Sequence, residues 1–90
     1  MSDETYNGWT NRETWATNLW LSNDEGLYDW ARERAQRAAD PATACKEFVE
    51  ELLDPNEALL SEELRHSISS DIGSLWRVDW QEVAESLLEE

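Results

Sequence analysis

Apolar residues recur three or four positions apart through most of the chain, and this spacing constrains the fold more than any other feature. One such series is Leu64, Ile68, Ile72 and Leu75. An α-helix has about 3.6 residues per turn, so this spacing places the series on one helix face. No segment alternates convincingly with the period of two that a half-buried strand requires. The sequence therefore predicts an all-α fold, a compact bundle of about five short helices.

Helix-start and helix-stop signals give the bounds of these helices. Thr10 with Glu13, and Asp79 with Glu82, match the capping box, in which each side chain of the pair binds the backbone N–H of the other residue. Residues 76–78 leave a short extended segment open as an alternative before the last helix. Asp40-Pro41 is a cap followed by proline at the first helical position, and Ser61 can cap the fourth helix. The predicted helices cover about 10–21, 24–39, 41–53, 61–73 and 79–90.

Tryptophan is far above its usual frequency, with six in 90 residues. Large aromatic side chains bury much apolar area each and so help a small chain to form a stable core. We assign Trp15, Trp20 and Trp30 to the core, and we expect Trp9, which precedes the first helix, to be partly exposed and available to a partner. The apolar residues of the first helix cover a wide arc, so we expect this helix to be central and largely buried. They are Trp15, Ala16, Leu19, Trp20 and Leu21.

The length of the chain predicts one small acidic helical domain over residues 1–90, with a single modest core. Residues 1–8 are polar and end in a turn dipeptide, so we expect them to be flexible. The lone Cys45 excludes an internal disulfide and fits a reducing cytoplasm. No stretch approaches the length of an apolar membrane span, and the N-terminus lacks the basic start of a secretory signal. We therefore expect a soluble cytoplasmic protein.

The net charge of −14 is distributed unevenly. Residues 1–39 carry seven acidic and four basic side chains, a net charge of −3, whereas residues 40–90 carry fourteen and three, a net charge of −11. Charge of this sign repels DNA, RNA and anionic lipid, so we expect no direct binding to nucleic acid and none to a membrane. It attracts a basic partner and accelerates the encounter with it.

The acidic residues form two stripes, each opposite the apolar face of a predicted helix. Carboxylates four positions apart are separated by about 6 Å along a helix, and a DNA strand carries one phosphate per about 3.4 Å, so the linear charge densities are comparable. The only base near the acids of the third helix is Lys46. The first stripe is Glu47, Glu50, Glu51 and Asp54, the second is Glu82, Glu85 and Glu89, and Glu57, Glu62, Glu63 and Asp71 can extend the surface.

The same chain offers no convincing catalytic or metal-binding pattern. Glu63 and His66 have the spacing used in di-iron bundles, but such a site needs two of these elements and two further glutamates, and the chain has one His. Cys45 lies on an apolar stripe, so we interpret it as a core residue and not as a nucleophile. One Cys and one His do not suffice for structural zinc, and there is no glycine-rich phosphate loop. We predict a non-enzyme without a cofactor or metal.

The first third of the chain carries a family resemblance. Residues 7–15 have the sequence N-G-W-T-N-R-E-T-W, and residues 18–21 and 23–25 continue with N-L-W-L and N-D-E. This segment resembles the opening of a family of small uncharacterised proteins of phages, plasmids and prokaryotic genomes, and residues 78–84 are similar to the closing segment of that family. The resemblance implies a mobile-element setting, and no functional residue is carried over from it.

These features support the hypothesis of an acidic inhibitor of mobile-element type. It would occupy the DNA-binding groove of a host defence protein, a CRISPR effector or a restriction enzyme, by presenting carboxylates in place of phosphates, and it would act in the host cell cytoplasm. Anti-CRISPR and anti-restriction inhibitors match this chain in size, charge and context, not in motif. The alternative is an acidic helical interaction domain from a salt-adapted or GC-rich organism, with no DNA mimicry.

Overall fold

A computed structural model describes Tyr6 and residues 8–89 of the chain. Within those residues the protein is helical, with no strand beyond an isolated antiparallel bridge between Tyr6 and Trp9. This architecture confirms the predicted all-α bundle of five helices. The helices are α1 (Arg12–Asn23), α2 (Glu25–Arg37), α3 (Pro41–Leu53), α4 (Glu62–Ile72) and α5 (Trp80–Leu88), and a 3-10 turn (Leu75–Arg77) lies between α4 and α5.

The segment that we predict to be flexible, residues 1–8, lies outside the described residues except for Tyr6 and Gly8. The backbone N–H and C=O groups of Tyr6 both bond those of Trp9, at N···O distances of 2.7 and 2.8 Å. Gly8 makes this tight turn possible because its φ of +89° is a conformation that glycine adopts without steric cost. The Tyr6 ring lies 4.9 Å from that of Trp15, so the turn packs against α1.

A side-chain cap begins each of the five helices. The cap residue accepts a hydrogen bond from the backbone N–H three positions later, a donor that has no partner within the helix. At α3 the hydrogen bonds from Thr43 lower the pKa of the Asp40 carboxyl, and Pro41 follows at the first turn, where its missing N–H is not needed. The five caps are Asn11, Asp24, Asp40, Ser61 and Asp79.

The capping box predicted at Thr10 is wrong, and the one predicted at Asp79 forms only in its first half, the bond from the N–H of Glu82 to the Asp79 side chain. Asn11, a better cap than threonine, begins α1 in place of Thr10, and its Oδ1 accepts from the N–H of Thr14 at 2.9 Å. Thr10 bonds to α5 instead: its N–H donates to Glu82 Oε1 at 3.0 Å and its hydroxyl to Asp79 Oδ2 at 3.3 Å. Asp79 caps α5 as predicted, but its own N–H donates to Thr14 Oγ1 at 2.8 Å and not to Glu82. Bonds between the start of α1 and the start of α5 therefore take the place of the first box and of the second half of the other.

The segment before α5 is a 3-10 turn and not the extended alternative considered for residues 76–78. Gly73 ends α4 with a φ of +84°, and the N–H of Val78 then donates to the C=O of Leu75 at 3.1 Å. Leu75 accordingly lies beyond α4, although it still packs against the core.

All five helices contribute to one core. α3 packs against α2, α4 and α5, and α1 packs against the same three helices. The predicted apolar faces of α3 and α5 are buried. Phe48 is completely buried, and its ring meets that of Trp30 edge-on, with 5.1 Å between the centroids. The bulkiest side chains of the core are Phe48, Leu21, Leu52, Ile72 and Leu87.

Contrary to prediction, α1 is not largely buried. Its Leu19 is exposed, Trp15 and Trp20 are half-buried, and Trp30 of α2 is exposed over 39 % of its surface although we assign it to the core. A small domain buries a smaller fraction of its surface than a large one, so a helix with apolar residues over a wide arc still leaves one side outside. The packed face of α1 includes two buried threonines, whose hydroxyls are hydrogen-bonded.

Candidate protein-binding acidic surface

The ten carboxylates predicted to bind a partner divide into two groups by burial. Glu51, Asp54 and Glu82 are half-buried. Glu51 and Glu82 accept hydrogen bonds from other elements, and Asp54 accepts one from the N–H of Asn56 in the turn that follows it. The other seven are exposed, and none of them forms an ion pair within the described residues. We call these seven the exposed acidic set: Glu47, Glu50, Glu57, Glu62, Glu63, Glu85 and Glu89.

Glu51 is neutralised by an arginine of the neighbouring helix. Arg34 of α2 donates two parallel hydrogen bonds to the Glu51 carboxylate, each at 3.1 Å, which is the strongest geometry for such a pair. These hydrogen bonds raise the pKa of Arg34; desolvation opposes the increase, and the charges of Glu51 and Glu47 add to it. The Arg34 guanidinium also lies 5.4 Å from the centroid of the Phe48 ring, within cation–π range. Because this base comes from α2, the charge spacing within α3 could not reveal it.

Glu82 belongs to a group of hydrogen bonds that join the first turns of α1 and α5. We call this group, formed by Thr10, Asn11, Thr14, Asp79 and Glu82, the α1–α5 joint. Thr14 is fully buried at its centre, where its hydroxyl donates to Asn11 Oδ1 at 2.6 Å and accepts from the N–H of Asp79 at 2.8 Å. Asn11 Nδ2 also donates to the C=O of Arg77 at 2.8 Å. The Glu82 carboxylate therefore has a partner on another part of the fold. In the exposed acidic set, Glu85 accepts a hydrogen bond from Gln81 at 3.1 Å, but from one turn earlier on the same helix.

Two members of the exposed acidic set, at the C-terminal end of α5, line a surface cavity of about 600 Å³. Glu85 and Glu89 border it together with Trp9, which is half-buried, in agreement with the expected partial exposure. The backbone bonds to Tyr6 hold Trp9 beside α5. An indole next to carboxylates provides surroundings that favour a cationic side chain over an anionic one.

Three further members border two other cavities. Glu47 lines one of about 410 Å³ together with Arg34. Glu62 and Glu63 line one of about 450 Å³ together with His66. The structure therefore brings the predicted residues together in small groups, one where α2 meets α3, one on α4 and one where α5 meets the N-terminal turn.

The most exposed aromatic residue, Trp76, was not singled out as functional from the sequence. Its surface is 80 % exposed, whereas the next most exposed tryptophan, Trp30, reaches 39 %. Trp76 lies in the 3-10 turn, outside the helices, so the periodicity that assigns core residues does not apply to it. The available signal was its position in the short connection between a helix-ending Gly73 and the Asp79 cap.

The described side chains that could act in other chemistry are buried or dispersed. Cys45 is fully buried, and burial raises the pKa of its thiol from 9.0 to about 11. The full burial of Cys45 in the core cluster confirms its interpretation as a core residue, and the raised pKa disfavours the thiolate, which is the nucleophilic form. Across Tyr6 and residues 8–89, no three His, Cys, Asp or Glu side chains are placed to hold a metal ion. In the same part of the chain, no helix has the length and apolar character needed to span a membrane.

Fold and surface together define a small acidic helical domain with a set of unpaired carboxylates and one prominent tryptophan. The chain belongs to a family of unknown function (DUF7249), which matches residues 2–90. No curated protein matches the chain, and no solved structure matches it.

Proposed function

We propose that this protein is an acidic inhibitor of mobile-element type that binds in the DNA-binding groove of a host defence protein and excludes DNA. The target is a CRISPR effector or a restriction enzyme, and inhibition works by occupancy, without catalysis or a cofactor. The observation that carries the proposal is the exposed acidic set: seven carboxylates, all in the more acidic half of the sequence, that form no ion pair within the described residues. Charge that is not used inside the fold is available to a partner.

The proposed mechanism is replacement of phosphates by carboxylates. Glu47 and Glu50 lie three positions apart on α3, and Glu85 and Glu89 lie four positions apart at the C-terminal end of α5. A rise of about 1.5 Å per residue puts such neighbours roughly 4.5 to 6 Å apart along the helix, comparable with the phosphates of a DNA strand. Lysine and arginine side chains of the target groove would face these carboxylates. Binding of this kind weakens with added salt.

Internal bonds hold the helices that present these carboxylates. The Arg34–Glu51 pair ties α3 to α2, and the α1–α5 joint fixes the start of α5. A surface that is rigid before binding loses less conformational entropy when the complex forms. Glu51 and Glu82 therefore support the surface in this proposal and do not contact the target.

The choice of target class rests on the resemblance of residues 7–25 and 78–84 to proteins of phages and plasmids, and on the match in size and charge to inhibitors from that setting. The competing explanation is acidity through salt adaptation or a GC-rich genome. The two differ in a measurable way, because only an inhibitor displaces DNA from a defined target.

The first experiment measures DNA binding by a panel of purified CRISPR effector complexes and restriction enzymes. Fluorescence anisotropy of a labelled cognate duplex is followed as this protein is added. We expect at least one target to lose DNA competitively, with an apparent Kd for DNA that rises in proportion to the protein concentration. We also expect inhibition to weaken on the order of tenfold between about 50 and about 300 mM salt. Failure to displace DNA from every member of the panel would contradict the proposal.

Two charge-matched double variants separate a specific surface from net charge. Glu50→Lys/Glu57→Lys alters the exposed acidic set, and Glu25→Lys/Asp29→Lys makes the same change of charge on α2, again at exposed residues. We expect the first variant to lose inhibition at least about tenfold, since each removed contact becomes a repulsion, and the second to lose much less. Equal losses would show that overall charge, and not this surface, governs binding.

A further inference from the structure

Trp76 is exposed to an extent that packing does not explain. The Trp76 residue is 80 % exposed, so most of the apolar surface of its indole remains in contact with water and does not contribute to the stability of the fold. The chain has five other tryptophans. Trp30 is 39 % exposed, and the remaining four are half-buried. Tryptophan is also the residue most enriched among those that dominate binding energy at protein interfaces.

The turn that presents Trp76 is anchored on both sides. The neighbouring Val78 is buried, and its N–H donates to the C=O of Leu75 at 3.1 Å. The C=O of Arg77 accepts from Asn11 Nδ2 at 2.8 Å, in contact with the α1–α5 joint. The backbone of this turn is therefore fixed to α1 and to the core, so Trp76 is held in an exposed position in the folded protein.

The local chemistry of the indole favours a cation. The Arg77 guanidinium lies 5.7 Å from the centroid of the Trp76 ring, within cation–π range. Arg77 Nε is also 3.4 Å from Glu13 Oε2, so its charge is offset by a carboxylate. With four-fifths of the residue exposed, most of the ring surface stays open to a second, incoming group.

We propose that Trp76 is an aromatic anchor that stacks on an arginine side chain of a basic protein partner. The basic character of the partner rests on the proposed function and on the net charge of −14. A second copy of this chain is disfavoured as the occupant because two strongly negative molecules repel each other. A nucleic-acid base is disfavoured for the same reason. Arginine is the expected cation because its planar guanidinium stacks on aromatic faces, whereas the lysine ammonium is a compact and strongly hydrated charge.

The experiment uses two labelled peptides of equal charge, nona-arginine and nona-lysine, as probes. Their Kd values for the full-length protein are measured by fluorescence anisotropy at low salt. We expect Trp76→Ala to weaken nona-arginine binding by about 3- to 30-fold, the range expected for a cation–π contact on tryptophan. Binding of nona-lysine should change less, so the preference for arginine should fall toward one. Trp76→Phe should retain part of the preference.

Leu59→Ala is the matched control, because Leu59 is also an exposed large apolar residue in a connection. It should leave both Kd values unchanged, and circular dichroism should show equal helicity in all variants. The anchor is overturned if nona-arginine does not bind the wild type, if Trp76→Ala leaves its Kd unchanged, or if both peptides lose affinity equally. It is also overturned if sedimentation shows a dimer that Trp76→Ala abolishes. Failure of DNA displacement in the panel, with the arginine preference intact, would refute the proposed inhibitor and leave the anchor standing.

Discussion

The α1–α5 joint and the exposed acidic set both contain carboxylates, but they use them in opposite ways. In the joint, Asp79 and Glu82 accept hydrogen bonds from backbone N–H groups and from the hydroxyl of Thr10, around the buried side chain of Thr14. In the exposed acidic set, carboxylates such as Glu50 face solvent and form no ion pair within the described residues. Residue type and position on a helix therefore do not tell which carboxylates are bonded within the fold and which face solvent. The distinction depends on whether a residue distant in the sequence donates a hydrogen bond to the carboxylate.

The largest effect is expected in the joint, from Thr14→Val. This change keeps the shape of the side chain but removes the hydroxyl, so the N–H of Asp79 loses its acceptor, while Asn11 Oδ1 loses one of two donors and keeps the N–H of Thr14. We expect the free energy of unfolding to fall by about 1 to 3 kcal/mol, the cost of leaving a buried polar group unsatisfied. Urea unfolding followed by circular dichroism measures it. Thr14→Ser, which keeps the hydroxyl, should lose less; an equal loss would mean that the methyl group and not the hydroxyl stabilises the joint.

A smaller effect on the free energy of unfolding is expected at two adjacent glutamates of α3, one bonded within the fold and one facing solvent. Glu51→Gln removes the charge that pairs with Arg34, whereas Glu50→Gln removes a charge without an ionic partner. We expect Glu51→Gln to lower the free energy of unfolding by about 0.5 to 1 kcal/mol, since the pair is partly exposed to solvent. Glu50→Gln should leave it within about 0.5 kcal/mol of the wild type. If the two variants lose equally in urea unfolding, the distinction between bonded and available carboxylates fails.

Salt should affect the exposed acidic set in the opposite direction from most surface ion pairs. With a net charge of −14, self-repulsion opposes the folded state, and added salt screens it. We expect the Tm to rise by a few degrees between about 20 and about 500 mM sodium chloride. Glu50→Lys/Glu57→Lys should show a higher Tm at low salt and a smaller increase. A Tm that is independent of salt in both proteins would show that the carboxylates do not repel one another appreciably.

The smallest effect is expected on acidification at Asp40. Its carboxyl has a pKa below the ordinary value of 3.8 because the Thr43 side chain and backbone donate hydrogen bonds to it. The stability that it contributes is therefore present above pH 3.8 and is lost as the pH falls through the lowered pKa. Asp40→Asn, which keeps a capping oxygen without a titrating group, should show a shallower loss of stability in that window by urea unfolding. If Asp40→Asn and the wild type have the same dependence of stability on pH, the Asp40 carboxyl does not make this contribution.

Local signals in the sequence predicted the helices well. The Asp40-Pro41 start and the Leu53 end of α3 agree with the structure, because a cap, an N-terminal proline and an apolar stripe all act within a few residues. The caps Ser61 and Asp79 were found in the same way. What failed depended on distant partners. The capping box at Thr10 was replaced by bonds to residues about 70 positions away, which no window of neighbouring residues contains.

The candidate site shows the same limit. Of the ten carboxylates predicted to bind a partner, seven are exposed, and for Glu47, Glu50 and Glu85 this exposure follows from helix periodicity. That they bind a partner stays a prediction. The ten also include Glu51 and Glu82, whose partners Arg34 and Thr10 lie on other elements. Trp76 was missed for the converse reason, since a residue in a short turn has no periodic pattern from which its exposure could be inferred.

The α1–α5 joint also has a consequence for the rate of folding. The bond between Thr14 and Asp79 connects residues 65 positions apart, so it forms only when most of the chain has closed into a loop. The closed segment contains most of the acidic residues, which repel one another during closure. Refolding should therefore be slower than is usual for a helical bundle of this size, and salt should accelerate refolding more than it slows unfolding. In this chain the surface charge proposed to bind a partner therefore also raises the activation free energy of folding.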